Sequence, residues 1–487
     1  MSAAAGSRAV AMCAAVAVSA ALAALGWWAV SLTGPLNYDG AYALLWGSQI
    51  ADGHRPEVQL PLAPTPKPLL IAFATLLDGL GVGHRAETIL LVLSVSSLGW
   101  LAGAAGAVAW RLAGWPAGVL ATAIILTREP VISWALRGYS EVLFCALLVT
   151  ALVLELRQRR AGVAALALLS VAGLLRPEAW LLSIAYLAWC WPALRSGARV
   201  VAVMLAGAAP LLWASFDLVV TGDPWWSLTG TRQTTQKLVR PTGIDALVLI
   251  APRRVGEILR EPVLAAAAAG IALLVHRRVS GRHELLAAIC AVTLAFAALA
   301  VAGLPVIARY LLPVAVLLAV VAAAGTVGLL QRGGSPAMRV TGLALAAWLA
   351  LTTPAQLQRL TSTAAVLDTQ RQITAELHEL ADIGRLTGTC PPLSLPNHRP
   401  VPSIAWWTRT SPFALRTDTH GPSSTGTVLL AKPDVRRLYV LDPRDPVKAP
   451  SEVPAGFAVR SSGRYWTVAQ RCRNAPADAK PTRDRRR

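Results

Sequence analysis

Charge is scarce in this sequence: only 15% of its 487 residues are Asp, Glu, Lys or Arg, against about 25% in an average soluble domain. A chain that is 55% hydrophobic cannot cover all of itself with a water-soluble surface. Two ligand signatures are also missing. The absence of a Walker A run argues against ATP-driven transport, and the absence of a Cys-x-x-Cys pair argues against a zinc domain. His54 and His84 stand far apart, with no ligand cluster of recognised spacing around them. No metal and no cofactor is expected. Acidic residues are fewer than basic ones, 26 against 45, but the basic residues are spread over loops and a tail instead of lining one face. No nucleic-acid partner is expected.

Long apolar runs, broken by short Arg clusters, are what the chain has in quantity. A helix needs about 20 apolar residues to cross a bilayer. Runs near 9–32, 86–110, 115–127, 140–156, 162–175, 179–194, 200–219, 262–276, 284–303, 310–330 and 340–353 predict about eleven transmembrane helices. The first run is too long for a signal-peptide core and ends at Trp27 and Trp28, so it reads as a retained helix. With the N-terminus inside, the cytoplasmic connections hold Arg111; Arg157, Arg159 and Arg160; Arg195 and Arg199; Arg277, Arg278 and Arg282; Arg332 and Arg339. The carboxylates test this assignment independently. Glu155 and Glu284 fall on the cytoplasmic side, whereas Asp39, Asp52, Glu57, Glu129, Glu141, Glu178, Asp223 and Glu257 fall in or beside outer loops.

The expected organisation is a polytopic α-helical membrane domain over 1–353, with long outer loops at 33–85 and 221–260. The segments 39–51 and 67–80 of the first loop read as helices lying at the membrane interface. In the second loop, Asp223, Pro224, Trp225 and Trp226 suit either a headgroup anchor or part of a site. An odd number of crossings places the rest outside as a small extracytoplasmic α+β domain over 354–473. It opens with a helix-prone stretch at 355–386 and continues with short alternating runs at 427–431, 438–441 and 465–469. Cys390 and Cys472 frame it and would close a loop worth about 4.5 kcal/mol in the chain-entropy model. Cys13, Cys145, Cys190 and Cys290 fall in apolar segments and read as inert packing residues. The stretch 474–487 reads as a disordered basic tail.

Asp39 stands in Asn37, Tyr38, Asp39, Gly40, just after the first predicted helix. A carboxylate there can serve as a general base on a sugar hydroxyl, with a partly apolar wall raising its pKa toward a useful value. It can equally cap the helix that follows, a position Asp favours. Further on come Gly53, His54 and Arg55, then Pro64, Thr65, Pro66, Lys67, Pro68 and Leu69. Two more stretches complete the set: Leu175, Arg176, Pro177, Glu178, Ala179, Trp180 and Arg309, Tyr310, Leu311, Leu312, Pro313.

In their order and common outer placement these stretches resemble the GT-C glycosyltransferases, in the branch of protein mannosyltransferases and aminoarabinose transferases. The chain departs from that branch at Gly40, where many members have Glu. The resemblance implies a polyprenyl-phosphate-linked sugar donor and an extracytoplasmic glycan, lipid or protein acceptor at the cytoplasmic membrane. It implies that Asp39 activates or orients the acceptor, while Lys67, with Arg176 and Arg309 next, holds the donor phosphate. Interfacial snorkelling, or pairing of an Arg with Glu178, is the structural alternative. Glu129, Arg137, Glu141 and Glu178 are candidates to line the acceptor cleft. The rival expectations are a transporter or flippase of lipid-linked glycans, and a non-catalytic envelope protein that binds wall polymer.

Overall fold

The computed structural model describes residues 34–276, 281–331, 335–386, 390–417, 424–440 and 452–472. The expected crossing at 9–32 and the expected tail at 474–487 lie outside them. Packing divides the chain into a helical unit ending at Leu367 and a C-terminal unit that starts at Asp368 and includes Leu60–Leu62.

The helical unit opens with α1 (Tyr38–Ala51) and α2 (Pro68–Gly79). These match the two short helices expected in the first outer loop. A Cβ on Gly47 would fall 2.7 Å from the Thr75 amide nitrogen, so the glycine is what lets the two helices touch. There follow α3 (Arg85–Ala113), α4 (Trp115–Ile125), α5 (Glu129–Leu136), α6 (Ser140–Arg157), α7 (Val163–Gly173) and α8 (Glu178–Cys190). Next come α9 (Ser196–Thr221), α10 (Trp226–Lys237), α11 (Ala251–His276), α12 (Arg282–Val301), α13 (Leu312–Leu330), α14 (Pro336–Leu351) and α15 (Thr353–Asp382).

The protein is a polytopic α-helical membrane protein. In α13 the apolar stretch is 83% buried, whereas in α9 and α12 it is only 22% buried. Along α9, Val200, Met204, Leu211, Leu212, Leu218 and Val219 are all exposed, a surface that suits lipid and not water. At the centre, α11 and α13 pack backbone against backbone, because a Cβ on Gly270 would run into the Val321 carbonyl.

Among the described residues, six helices are long and apolar enough to span, or seven if α4 and α5, bent by 64°, make one broken span. The expected eleven includes shorter pieces. Helices α7 and α8 have 11 and 13 residues, about 16–20 Å at 1.5 Å per residue, short of a hydrocarbon core of roughly 30 Å. Helix α6 has 18 residues but carries Glu141, Glu155 and Arg157.

The connections sort to two ends of this unit. Gln331 donates to the Ala113 carbonyl at 2.9 Å, Gly281 packs on Leu112 and Leu156, and Arg159 pairs with Glu284 at 3.6 Å. The Arg-rich turns near Arg111, Arg157 and Arg282 therefore share one end. Glu155 belongs there too, accepting from the backbone of Arg160 at 2.8 Å and from the Tyr186 hydroxyl at 2.6 Å. Glu141 begins the same helix that Glu155 nearly ends, about 21 Å away along the axis. This places Asp39, Lys67 and their partners at the opposite end.

The C-terminal unit combines the last turns of α15 with α16 (Val401–Thr408) and five strands, β1 (Leu393–Ser394), β2 (Leu415–Arg416), β3 (Gly426–Ala431), β4 (Ala458–Ser462) and β5 (Trp466–Arg471). Their order is β2-β1-β3-β5-β4, with β1 parallel to β2 and β3, and β5 antiparallel to β3 and β4. Trp466 is fully buried and donates from Nε1 to the Ile373 carbonyl at 2.9 Å. Glu376 accepts from the amides of Tyr465 and Trp466 at 3.1 and 2.9 Å, tying helix to sheet. Cys390 and Cys472 are joined by a disulfide, their Cα atoms 5.3 Å apart. The alternating run at 438–441 is no strand. Its described part lies in a helical turn, Arg436–Val440, that continues from Pro433–Val435, because Pro433 favours a first helical position and cannot donate to a sheet ladder.

Candidate active site

Asn37, and not Asp39, caps α1. Its side-chain oxygen accepts from the amides of Asp39 and Gly40 at 3.0 and 3.1 Å, while its Nδ2 donates to the Arg137 carbonyl at 2.9 Å. The cap reading of Asp39 is thereby overturned: Asn37 occupies the position, and the Asp39 carboxylate, in the first turn, is left to other partners. A Cβ on Gly40 would press on the Leu36 side chain at 2.9 Å, so any larger residue there would have to displace that leucine.

Lys67 is the residue before Pro68, the first residue of α2. Proline holds its predecessor out of the helical region, and Lys67 is extended at φ −117° and ψ 98°. Its Nζ reaches the Asp39 carboxylate at 3.1 Å, the Ser140 hydroxyl at 2.8 Å and the Glu141 carboxylate at 3.8 Å. Arg309, in the turn that leads into α13, bridges the same two acids, with Nη2 3.3 Å from Asp39 and Nε 3.2 Å from Glu141. Arg176, between α7 and α8, contacts Glu141 at 3.2 Å and grips Glu178 with Nε and Nη2. Tyr310 lies against both arginines: the Arg176 guanidinium is 3.6 Å and that of Arg309 5.3 Å from its ring centre.

Three carboxylates and three cations, drawn from five separate turns, thus form one balanced and largely buried network. Glu141 is its centre, with its side chain 2% exposed, while Asp39 is 11% and Arg309 18% exposed. The rim toward solvent is therefore made by Asp39 and Arg309. Burial alone would raise the Asp39 pKa, but the charges of Arg309 and Lys67 outweigh it and hold the carboxyl below its ordinary value. The expected upward push from an apolar wall exists and loses to two cations. For Lys67, burial acts downward, but Glu141 and Asp39 more than offset it and keep the ammonium charged.

Five site residues singled out in the sequence besides Asp39 meet here: Lys67, Arg176, Arg309, Glu141 and Glu178. Two others do not join these ion pairs. The Glu129 carboxylate accepts from Thr363 at 2.9 Å, and Arg137 offers its backbone carbonyl to Asn37. Glu141 supplies in space the second carboxylate that Gly40 denies in sequence. Among the described residues, no three His, Cys, Asp or Glu side chains cluster as metal ligands would. Sequence reasoning missed Ser140 and gave no role to Tyr310, although each directly adjoins a residue it picked. It also missed Arg240, whose charge bears on Asp39 and which lines a cavity of about 340 Å³ with Arg232, Gln236, Thr242 and Gly303. In that loop only Asp223, Pro224, Trp225 and Trp226 drew notice.

No known protein-family model matches the sequence, and no curated protein matches it. Solved structures do match, two of ArnT among them. ArnT from Cupriavidus metallidurans bound to undecaprenyl phosphate is 14% identical, with 93% of this chain and 97% of that one covered, at a TM-score of 0.57. ArnT from the same organism in the apo state is 13% identical, with 94% and 98% covered, at a TM-score of 0.52. At such identities the likeness is one of fold, and the chain has a fold like that of ArnT.

Proposed function

We propose that this chain transfers a sugar from a polyprenyl-phosphate donor to an acceptor hydroxyl outside the cytoplasmic membrane. The observation that carries the proposal is the sharing of Asp39 between Lys67 and Arg309 at the exposed rim of an otherwise buried charge network. A donor phosphate arriving there competes with Asp39 for both cations. The polyprenyl tail then lies among the helices, in keeping with undecaprenyl phosphate bound to ArnT, and the cavity beside Arg240 offers room for the sugar or acceptor.

The step is a direct displacement. The acceptor oxygen forms a bond to the anomeric carbon as the bond from that carbon to the phosphate oxygen breaks, with inversion. The hydroxyl proton passes to Asp39, and the bond's electron pair leaves with polyprenyl phosphate, whose charge Lys67 and Arg309 stabilise. Arg176, Glu141 and Glu178 hold those cations in place without touching the reacting atoms. The C-terminal unit is proposed to lie outside the membrane and to help hold the acceptor.

Removing the Lys67 charge tests phosphate capture directly. Lys67→Met is expected to weaken binding of undecaprenyl phosphate to the purified protein by about tenfold or more, the worth of one charge-assisted hydrogen bond. Unchanged affinity would remove Lys67 from the phosphate site.

The same competition predicts a pH signature. Asp39 has a depressed pKa in the free protein, so its contribution to stability is complete above the ordinary carboxylate pKa and is lost as pH falls through the lowered value. A bound phosphate draws Lys67 and Arg309 away and lets the Asp39 pKa rise toward that of a working base. The acid limb of kcat, which reports the donor complex, is therefore expected at higher pH than the acid limb of kcat/KM, which reports the free protein. Coincident limbs would count against the exchange of cations between Asp39 and the phosphate.

A further inference from the structure

The helical unit also gathers a second set of charges, this one mostly positive. Arg128 stands where α4 and α5 break apart and is only 7% exposed. Its Nη1 donates to the Leu259 carbonyl at 2.9 Å and its Nη2 to the Thr127 hydroxyl at 3.1 Å, while its Nε is buried with no hydrogen-bond partner among the described residues. The Leu259 carbonyl accepts this bond because α11 is interrupted beside it. Arg260 has φ 68° and ψ 165°, and Pro262, lacking an N–H, follows two residues on. A third element brings another guanidinium. Glu129, next to Arg128, accepts from Thr363 of α15 at 2.9 Å, and Arg359 lies one turn before Thr363 on the same face. The charges of Arg260 and Arg359 both act on Arg128.

No ion pair links any of these three arginines to a carboxylate among the described residues. Of the neighbouring acids, Glu129 accepts from the Thr363 hydroxyl and forms no ion pair among the described residues, Glu257 pairs with Arg253 and Arg254, and Glu261 is exposed. Like charges held together by a non-glycine residue in the left-handed region cost free energy. A bound anion would recover it. Leu126 and Leu357, two residues before Arg128 and Arg359, are exposed apolar side chains, which is the surface an acyl chain covers.

We propose that Arg128, Arg260 and Arg359 form a phosphate-binding site for a lipid headgroup, separate from the Asp39 site. Guanidinium groups suit it because each can give two parallel hydrogen bonds to phosphate oxygens, and the free Nε of Arg128 is one donor already buried and waiting.

The test uses the full chain in nanodiscs of phosphatidylcholine with or without phosphatidylglycerol, with retained lipid counted by native mass spectrometry. Wild-type protein is expected to retain phosphatidylglycerol over phosphatidylcholine. Arg359→Gln and Arg260→Gly are each expected to reduce that retention by about tenfold. The glycine also relieves the backbone at 260, so the fold is kept. Arg253→Gln, outside the cluster, is the control that leaves retention unchanged. Retention that survives excess inorganic phosphate supports a lipid site. Displacement by inorganic phosphate with no preference between the two lipids overturns the lipid assignment, and retention unaltered in both cluster variants overturns the site.

Discussion

Turnover of sugar transfer is expected to fall by about a thousandfold when Asp39 is replaced by Asn, within the 10²–10⁴ range of general-base contributions. Asparagine keeps the shape of the side chain and removes its charge and basicity. The same substitution relieves Lys67 and Arg309 of a competitor, so affinity for the donor phosphate is expected to hold or to tighten. This split between turnover and binding separates a chemical role from a structural one. A residue that only held the ion-pair network together would lose stability and binding along with rate. Turnover measured per folded protein in liposomes, with donor affinity measured in parallel, reads both. A loss of less than about threefold in turnover would reduce Asp39 to a network partner.

Glu141→Gln is expected to act in the opposite way, on stability before chemistry. The Glu141 side chain is 2% exposed and lies within 3.8 Å of Lys67 and 3.2 Å of both Arg176 and Arg309. Removing its charge leaves three cations facing only Asp39 and Glu178. Breaking a buried ion pair by deleting one partner costs about 3–5 kcal/mol, and the denaturant midpoint of the purified protein should fall accordingly. Because the partners share one network, Glu141→Gln combined with Arg176→Gln should cost less than the two losses summed. A Glu141→Gln protein as stable as wild type would mean that water screens the cluster far better than its burial indicates.

Much of the scaffold was legible because membrane helices obey a local rule: apolar length and flanking arginine are read from neighbouring residues. Tyr38–Ala51 and Pro68–Gly79 lie within a residue or two of their expected spans. The count of crossings was less legible, since an apolar run shows that a helix is buried or in lipid without showing which, and α7 and α8 are too short to settle it by length. Lys67, Arg176 and Arg309 were visible beside their prolines and aromatics. Glu141 was visible only as a candidate to line a cleft, not as their common partner. Glu141 lies 35 residues from Arg176 and farther still from Lys67 and Arg309, and no local pattern announces a contact at that separation. Asn37 could have been read locally, since it caps residues two and three positions on and Asn is as good a cap as Asp, whereas Arg240 was hidden in a loop where two tryptophans carried the stronger signal. Arg128 beside Leu259 appears only once α11 is seen to break at Arg260.

The most direct measurement follows a radiolabelled sugar from its polyprenyl-phosphate carrier, using the full chain in liposomes with a cell-envelope acceptor extract. Label passing to the acceptor, with free polyprenyl phosphate released in equal amount by wild type and almost none by Asp39→Asn, is the predicted result. Label that crosses the bilayer still joined to its lipid, or that stays on every donor tried, contradicts it.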